Sequence, residues 1–115
     1  MSLTTKTPFV RHRWPVFLVG LPEDVARECV WAVTPIPAVR MATLAEAMTK
    51  LEAARPLLVV LGRESRDPDL EAFRTAAHEV AVSVHEIDVG ASAEQRAERL
   101  KVAIGQAEKL RIPAG

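Results

Sequence analysis

The sequence predicts an α/β domain of three layers, in which a parallel sheet lies between two layers of helices. Short, continuous apolar runs such as Val16–Val19 and Leu57–Leu61 are typical of strands that are buried on both faces. These runs alternate with longer segments in which apolar residues recur at helical spacing, so that the predicted order is β-α-β-α-β-α-β-α. Such alternation favours a parallel sheet that is covered by helices on both sides.

The first α/β unit begins with the strand Val16–Val19. Pro22 suits the first position of a helix, and the acidic side chains of Glu23 and Asp24 complement the positive end of the helix dipole. The segment Thr34-Pro35-Ile36-Pro37 ends this helix, because neither proline can continue it.

The second unit combines a weak strand signal with a strong helix signal. Ala38–Met41 predicts a short strand. Thr43 and Glu46 then form a capping box, in which each side chain can satisfy a backbone amide at the start of a helix. That helix ends at Arg55-Pro56, which leads into the third strand.

The rest of the chain predicts two more helices around one strand. Asp67 as cap and Pro68 in the first turn indicate the third helix, and a strand is centred near Val82–Ile87. A second capping box opens at Ser92, and its amphipathic helix extends to Arg111. The apolar stripe expected on its inner side consists of Ala97, Leu100, Ile104, Ala107 and Leu110.

Size and composition predict one globular domain. Of the 115 residues, 49% are hydrophobic and 26% are charged, with a formal net charge of 0. The balanced charge argues against nucleic acid as a partner, and the single cysteine favours a reducing compartment. Without an apolar segment of signal-peptide or membrane-spanning length, we expect a cytoplasmic protein. We also expect a flexible N-terminal segment at residues 1–14 and a single domain at 15–112.

Three consecutive segments resemble the receiver domains of two-component signalling. They are Val39–Ala42, the capped helix Thr43–Leu51 and the Pro-led strand within Arg55–Gly62, and the resemblance covers roughly residues 15–90. It implies a flavodoxin-like, doubly wound parallel sheet. After the fourth strand the chain enters its last helix directly, so the sheet is expected to be truncated to four strands in the order 2-1-3-4.

The resemblance breaks at the residues that carry receiver chemistry. Gly62 stands where the family has its phosphoacceptor aspartate, and Gly20 and Leu21 stand where an acidic pair helps to hold a divalent cation. Hard cations need oxygen ligands, which these side chains lack. No Lys-Pro pair follows either. We therefore expect a non-phosphorylatable pseudo-receiver that is not an enzyme and has no metal or cofactor.

Loss of the chemistry favours a protein–protein interaction module in bacterial signalling or regulation. A sheet that lacks a fifth strand leaves apolar surface to cover, which makes a homodimer a reasonable expectation. The candidate interface residues are Trp31 on the first helix and Leu100 and Ile104 on the last. The alternative interpretation is that Trp31, like Trp14, only covers an edge of the core.

A small-anion or nucleotide sensor is the alternative function. Its candidate residues are Arg63 and Arg66 in the loop after the third strand and His85 on the fourth strand, near the carboxyl edge where α/β folds bind ligands. The loop lacks the glycine spacing of a phosphate-binding loop, so a solvated loop remains an open interpretation. His85 could equally protect an exposed strand edge. Three scattered histidines and one cysteine give no metal-ligand spacing.

Overall fold

The computed structural model describes residues 14–111. Four strands and four helices alternate strictly along this part of the chain. They are β1 Val16–Val19, α1 Glu23–Val33, β2 Ala38–Met41, α2 Leu44–Ala54, β3 Leu58–Gly62, α3 Leu70–Glu79, β4 Ser83–Ile87 and α4 Ala93–Arg111.

The strands form one parallel sheet in the order β2-β1-β3-β4, as the sequence predicts. Val16 aligns with Ala38 on one side and with Leu58 on the other, and Leu58 aligns with Ser83. β1 and β3 are therefore the central strands, and every residue of β1 is buried. The connections from β1 to β2 and from β3 to β4 run in opposite directions across the sheet, so a topological switch point lies between β1 and β3.

Two apolar cores lie on the two faces of the sheet, which gives the flavodoxin-like arrangement of three layers. Side chains alternate between the faces of a strand, so Val16 and Leu18 pack with α1 and α4, whereas Phe17 and Val19 pack with α2 and α3. Phe73 on α3 is completely buried in the second core.

The hydroxyl half of each predicted capping box is present. The Thr43 hydroxyl accepts a hydrogen bond from the Glu46 amide at 3.2 Å, and the Ser92 hydroxyl accepts one from the Gln95 amide at 3.1 Å. The Glu46 carboxylate accepts from the amide of Ala42 at 3.2 Å, one residue before the cap.

Asp67 does not cap α3, so this expectation is wrong. Its Oδ1 atom accepts from the Asp69 amide at 2.9 Å, which closes a local turn, and α3 begins only at Leu70. Its Oδ2 atom accepts from the Leu44 amide at 3.0 Å, in the first turn of α2. Asp67 thus joins the loop after β3 to the neighbouring helix.

The inner face of α4 corrects three further expectations. Leu100 and Ile104 are 1% and 9% exposed within the first core, so they pack inside this domain and offer no surface to a partner. Leu110, expected on the same stripe, is 82% exposed. The reason is helical phase, since Arg111 follows Ala107 by four residues and takes the inward position. Its guanidinium donates to the carbonyl of Arg55 at 3.1 Å and to that of Pro56 at 2.8 Å.

Trp14 is the first described residue, and it belongs structurally to the domain. It is partly buried against the first core, and the Arg111 guanidinium lies 4.9 Å from the centre of its ring. The remainder of the predicted flexible segment and residue 112 lie outside the described residues. None of the helices within 14–111 combines the length and the apolar character needed to cross a bilayer.

Candidate functional site

An open cleft of about 560 Å³ lies at the carboxyl edge of the sheet. It occupies the switch point between β1 and β3, the position at which open α/β sheets bind ligands. Gly20 follows β1 and Gly62 ends β3, and both line the cleft. The loops after β3 and β4 supply its charged side chains.

The two glycines differ in the backbone that they require. Gly20 has a φ of +62°, a left-handed conformation in which an L side chain is strained, and an added Cβ would lie 3.4 Å from the carbonyl oxygen of Ala42. Gly62 has no positive φ, and an added Cβ would meet only the Val89 side chain at 3.9 Å. The fold therefore accommodates a Cβ atom at position 62 but disfavours any side chain at position 20.

Most of the acidic groups in the cleft are already engaged by the protein. Both oxygens of Asp67 accept backbone amides, and these bonds hold the pKa of its carboxyl below the ordinary value. Asp88 accepts from the Gly90 amide at 3.0 Å and pairs with Arg63 at 3.4 Å. Within residues 14–111, no carboxylate lies within salt-bridge distance of Arg66, which lines the cleft and is exposed.

His85 lies outside this cleft. The residues predicted at the ligand edge therefore line two separate spaces. It aligns with Val60 and faces the layer of α1 and α4, where it lines a separate cavity of about 80 Å³. Arg63 lines both spaces, and Arg96 and Arg99 of α4 line the smaller one. The Nε2 atom of His85 is buried and has no hydrogen-bond partner within the described chain. Burial, with the charges of Arg63 and Arg99, lowers the pKa of His85 below its ordinary value of 6.5.

Arg96 fastens the loop between β4 and α4 to α1. Its Nη2 atom donates to the Glu28 carboxylate at 2.7 Å, and its Nη1 atom donates to the carbonyls of Val89, at 2.9 Å, and Ala91. The side chain is only 11% exposed. Because Val89 lines the large cleft, Arg96 fixes one wall of it.

The other candidate residues are dispersed. Leu21 turns away from the cleft and packs partly buried against the first core, so it is structural in this fold. Trp31 is 75% exposed on α1. No group of three or more His, Cys, Asp or Glu side chains in the described ranges is placed to hold a metal ion.

Sequence reasoning missed Arg96 and Arg99 as parts of a site. Acidic residues alternate with both at helical spacing, a pattern that favours a solvated face of α4. The pattern contains one usable signal, since Arg96 and Arg99 are three residues apart and so share a helix face near the carboxyl edge. Only the packing of α4 beside β4 brings that face to His85.

Comparison with known proteins adds no relative to these observations. The chain matches no protein-family model, no curated protein and no solved structure.

Proposed function

We propose that this domain is a non-phosphorylatable pseudo-receiver, similar to receiver domains in fold but not in chemistry. In this proposal it acts in the cytoplasm as a protein–protein interaction module in bacterial signalling or regulation. One observation carries the proposal. In a parallel sheet of order 2-1-3-4, the positions at the carboxyl edge that would need carboxylates hold Gly20, Leu21 and Gly62.

The geometry at these positions supports loss of the phosphoryl chemistry. Gly20 adopts a conformation that disfavours a side chain, and Leu21 packs partly buried against the first core. A carboxylate at position 62 alone would therefore lack the acidic neighbours that hold a divalent cation for phosphoryl transfer. Because neither position beside β1 could supply them without a backbone change, the loss involves more than one side chain.

Trp31 supports the interaction role. It is the most exposed tryptophan of the described chain, at 75%, and it lies on α1 away from the core positions Val25, Cys29 and Val33. Tryptophan is enriched among the residues that dominate binding energy at interfaces, because it buries a large rigid surface. We propose that it anchors a protein partner, and a second copy of the chain is the first partner to test.

Two measurements test this proposal. Incubation with acetyl phosphate and Mg²⁺ should leave the intact mass unchanged, and a covalent phosphoryl adduct would contradict the loss of chemistry. Sedimentation equilibrium at tens of micromolar protein should show a dimer that Trp31→Ala weakens. Val39→Ala is the matched control, because Val39 is also exposed but aligns with Phe17 and thus faces the opposite layer. A wild-type protein that is only monomeric would exclude the homodimer.

The large cleft supports a second candidate, a sensor of nucleotides or phosphorylated metabolites. Its volume of about 560 Å³ lies within the range of small-molecule sites, roughly 300–1,000 Å³. Arg66 lines this cleft and makes no ion pair within the described residues. Such a cation favours an anionic group on the ligand.

A thermal-shift screen tests the sensor candidate. A ligand at ten times its Kd stabilises a domain by about 1.4 kcal/mol, which raises Tm by roughly 5 °C for a domain of this size. Arg66→Gln should reduce the shift for a true cleft ligand. Uniformly flat results across nucleotides and phosphorylated metabolites would count against this function and leave the interaction module standing.

A further inference from the structure

The small cavity beside His85 has an unusual lining for its size. Three arginines, Arg63, Arg96 and Arg99, surround about 80 Å³ together with the imidazole. This volume exceeds the roughly 10–15 Å³ that one ordered water needs and is far below the space that a drug-sized ligand fills. The cavity therefore suits a small ion.

The charges around the cavity do not cancel completely. Arg96 is paired with Glu28, and Arg63 is paired with Asp88 at a distance of 3.4 Å. Glu86 also lines the cavity, but its carboxylate pairs with Arg74 of α3.

Arg99 remains as an exposed guanidinium with no carboxylate within salt-bridge distance in residues 14–111. The Nε2 atom of His85 also lacks a partner in this part of the chain, and it is buried. A buried polar atom that makes no hydrogen bond is costly, and native structures usually satisfy it with protein, water or an ion.

We propose that this cavity is a binding site for a small tetrahedral oxyanion, held between the guanidinium groups of Arg63 and Arg99 and beside the imidazole of His85. Planar guanidinium groups match the oxygen pairs of such anions, and the hydrogen bonds are charge-assisted. The site is separate from the large cleft and does not depend on the proposed function. Arg63, which lines both spaces, would exchange its long contact with Asp88 for a contact with the anion.

Binding should be linked to the protonation of His85. Arg63 and Arg99 disfavour the charged imidazole, whereas Glu86 favours it. Asp88, Arg96 and the Glu28 partner of Arg96 complete the charged groups around it. A bound dianion offsets the arginine charges and so raises the pKa of His85. By reciprocity, tenfold tighter binding to the protonated form corresponds to a rise of about one pKa unit.

Sulfate is the probe of choice, because it stays a dianion over the whole range in which histidine titrates. The imidazole resonances are followed by NMR during a sulfate titration at constant ionic strength, at about pH 6 and about pH 8. His85→Gln assigns the His85 signal. We expect a saturable shift, a higher His85 pKa with sulfate and tighter binding at the lower pH.

Two matched variants make the test specific. Arg99→Gln removes the unpaired guanidinium and should weaken sulfate binding roughly tenfold. Lys101→Gln removes an exposed charge of the same helix that lines neither space, and it should leave sulfate binding unchanged. Equal effects of both variants, or a shift that does not saturate, would overturn the proposal by indicating general screening.

The last comparison identifies the source of the oxyanion. Inorganic phosphate should bind like sulfate if the site takes a free ion. If the site takes the phosphoryl group of a larger molecule, adenosine monophosphate should also bind through Arg99. Only its phosphoryl group would enter, because the cavity is too small for the nucleoside. If sulfate, inorganic phosphate and adenosine monophosphate all fail to bind, the site is excluded, even if ligands that depend on Arg66 are found in the cleft.

Discussion

Replacing Gly20 and Gly62 by alanine, one at a time, tests the different backbone demands at the ends of β1 and β3. Both changes reduce the conformational entropy of the unfolded chain, which alone stabilises a protein by about 0.4–1 kcal/mol. At Gly62 nothing opposes this gain, because an added Cβ makes only one ordinary contact, at 3.9 Å. At Gly20 the φ of +62° adds a strain of about 1–2 kcal/mol.

The difference between the two variants isolates the strain, because the unfolded-state gain is common to both. Gly62→Ala should increase the free energy of unfolding by up to about 1 kcal/mol, and Gly20→Ala should decrease it by up to roughly 1.5 kcal/mol. Urea unfolding, monitored by circular dichroism, measures this difference in the free energy of unfolding. With a slope of roughly 1.5 kcal/mol per molar urea, the two midpoints should differ by about 1 M.

A third glycine serves as the calibration. Gly105 lies inside α4 with nothing within 4 Å of an added Cβ, so Gly105→Ala should stabilise the protein by about 0.5–1 kcal/mol. Equal effects at Gly20 and Gly62 would refute the argument that only the first position requires glycine. A destabilising Gly62→Ala would show that the end of β3 is less open than the structure indicates.

Three further predictions follow from buried polar and titratable groups. Arg96→Met should lower the free energy of unfolding by about 2 kcal/mol, since it removes charge-assisted bonds to Glu28 and to two loop carbonyls, and Arg96→Lys should recover only part of this in urea unfolding. Because folding lowers the pKa of His85, its contribution to stability is complete above the ordinary pKa of 6.5 and is lost as the pH falls through the pKa of the folded state. His85→Gln should remove this pH dependence from the free energy of unfolding measured across that range. Burial raises the pKa of Cys29 to about 11, so a thiol reagent should modify it slowly in the native protein and rapidly in denaturant, and rapid native modification would contradict its place in the core.

Local patterns were sufficient to predict which segments form strands and helices. Strands buried on both faces, such as β1 and β3, leave continuous apolar runs, whereas Ala38–Met41, with two exposed residues, gives only a weak strand signal. Capping at Thr43 and Ser92 depends on contacts three residues away, which the sequence displays directly. The strand order 2-1-3-4 came from the family resemblance and agrees with the structure.

The candidate site was predicted only in part, because its geometry depends on contacts between distant segments. Arg63 and Arg66, two of the predicted ligand-edge residues, both line the cleft, since the carboxyl ends of neighbouring parallel strands meet at one edge. His85 shares the smaller cavity with Arg63 but does not line the cleft, because proximity to that edge does not reveal which face of the sheet a residue occupies. Asp67 was assigned to its own helix, whereas one of its oxygens binds an amide 23 residues away.

Sequence alone therefore specified which segments are strands and helices, which residues prefer burial, and which chemical groups are missing from the carboxyl edge. These properties depend on side-chain type and on spacing within a few residues. The packing of α4 against β4 and α1 was needed to bury Leu100 and Ile104, to place Arg96 on Glu28, and to bring Arg99 to His85. Such contacts depend on how separate elements fit in three dimensions, which no local pattern of the chain encodes.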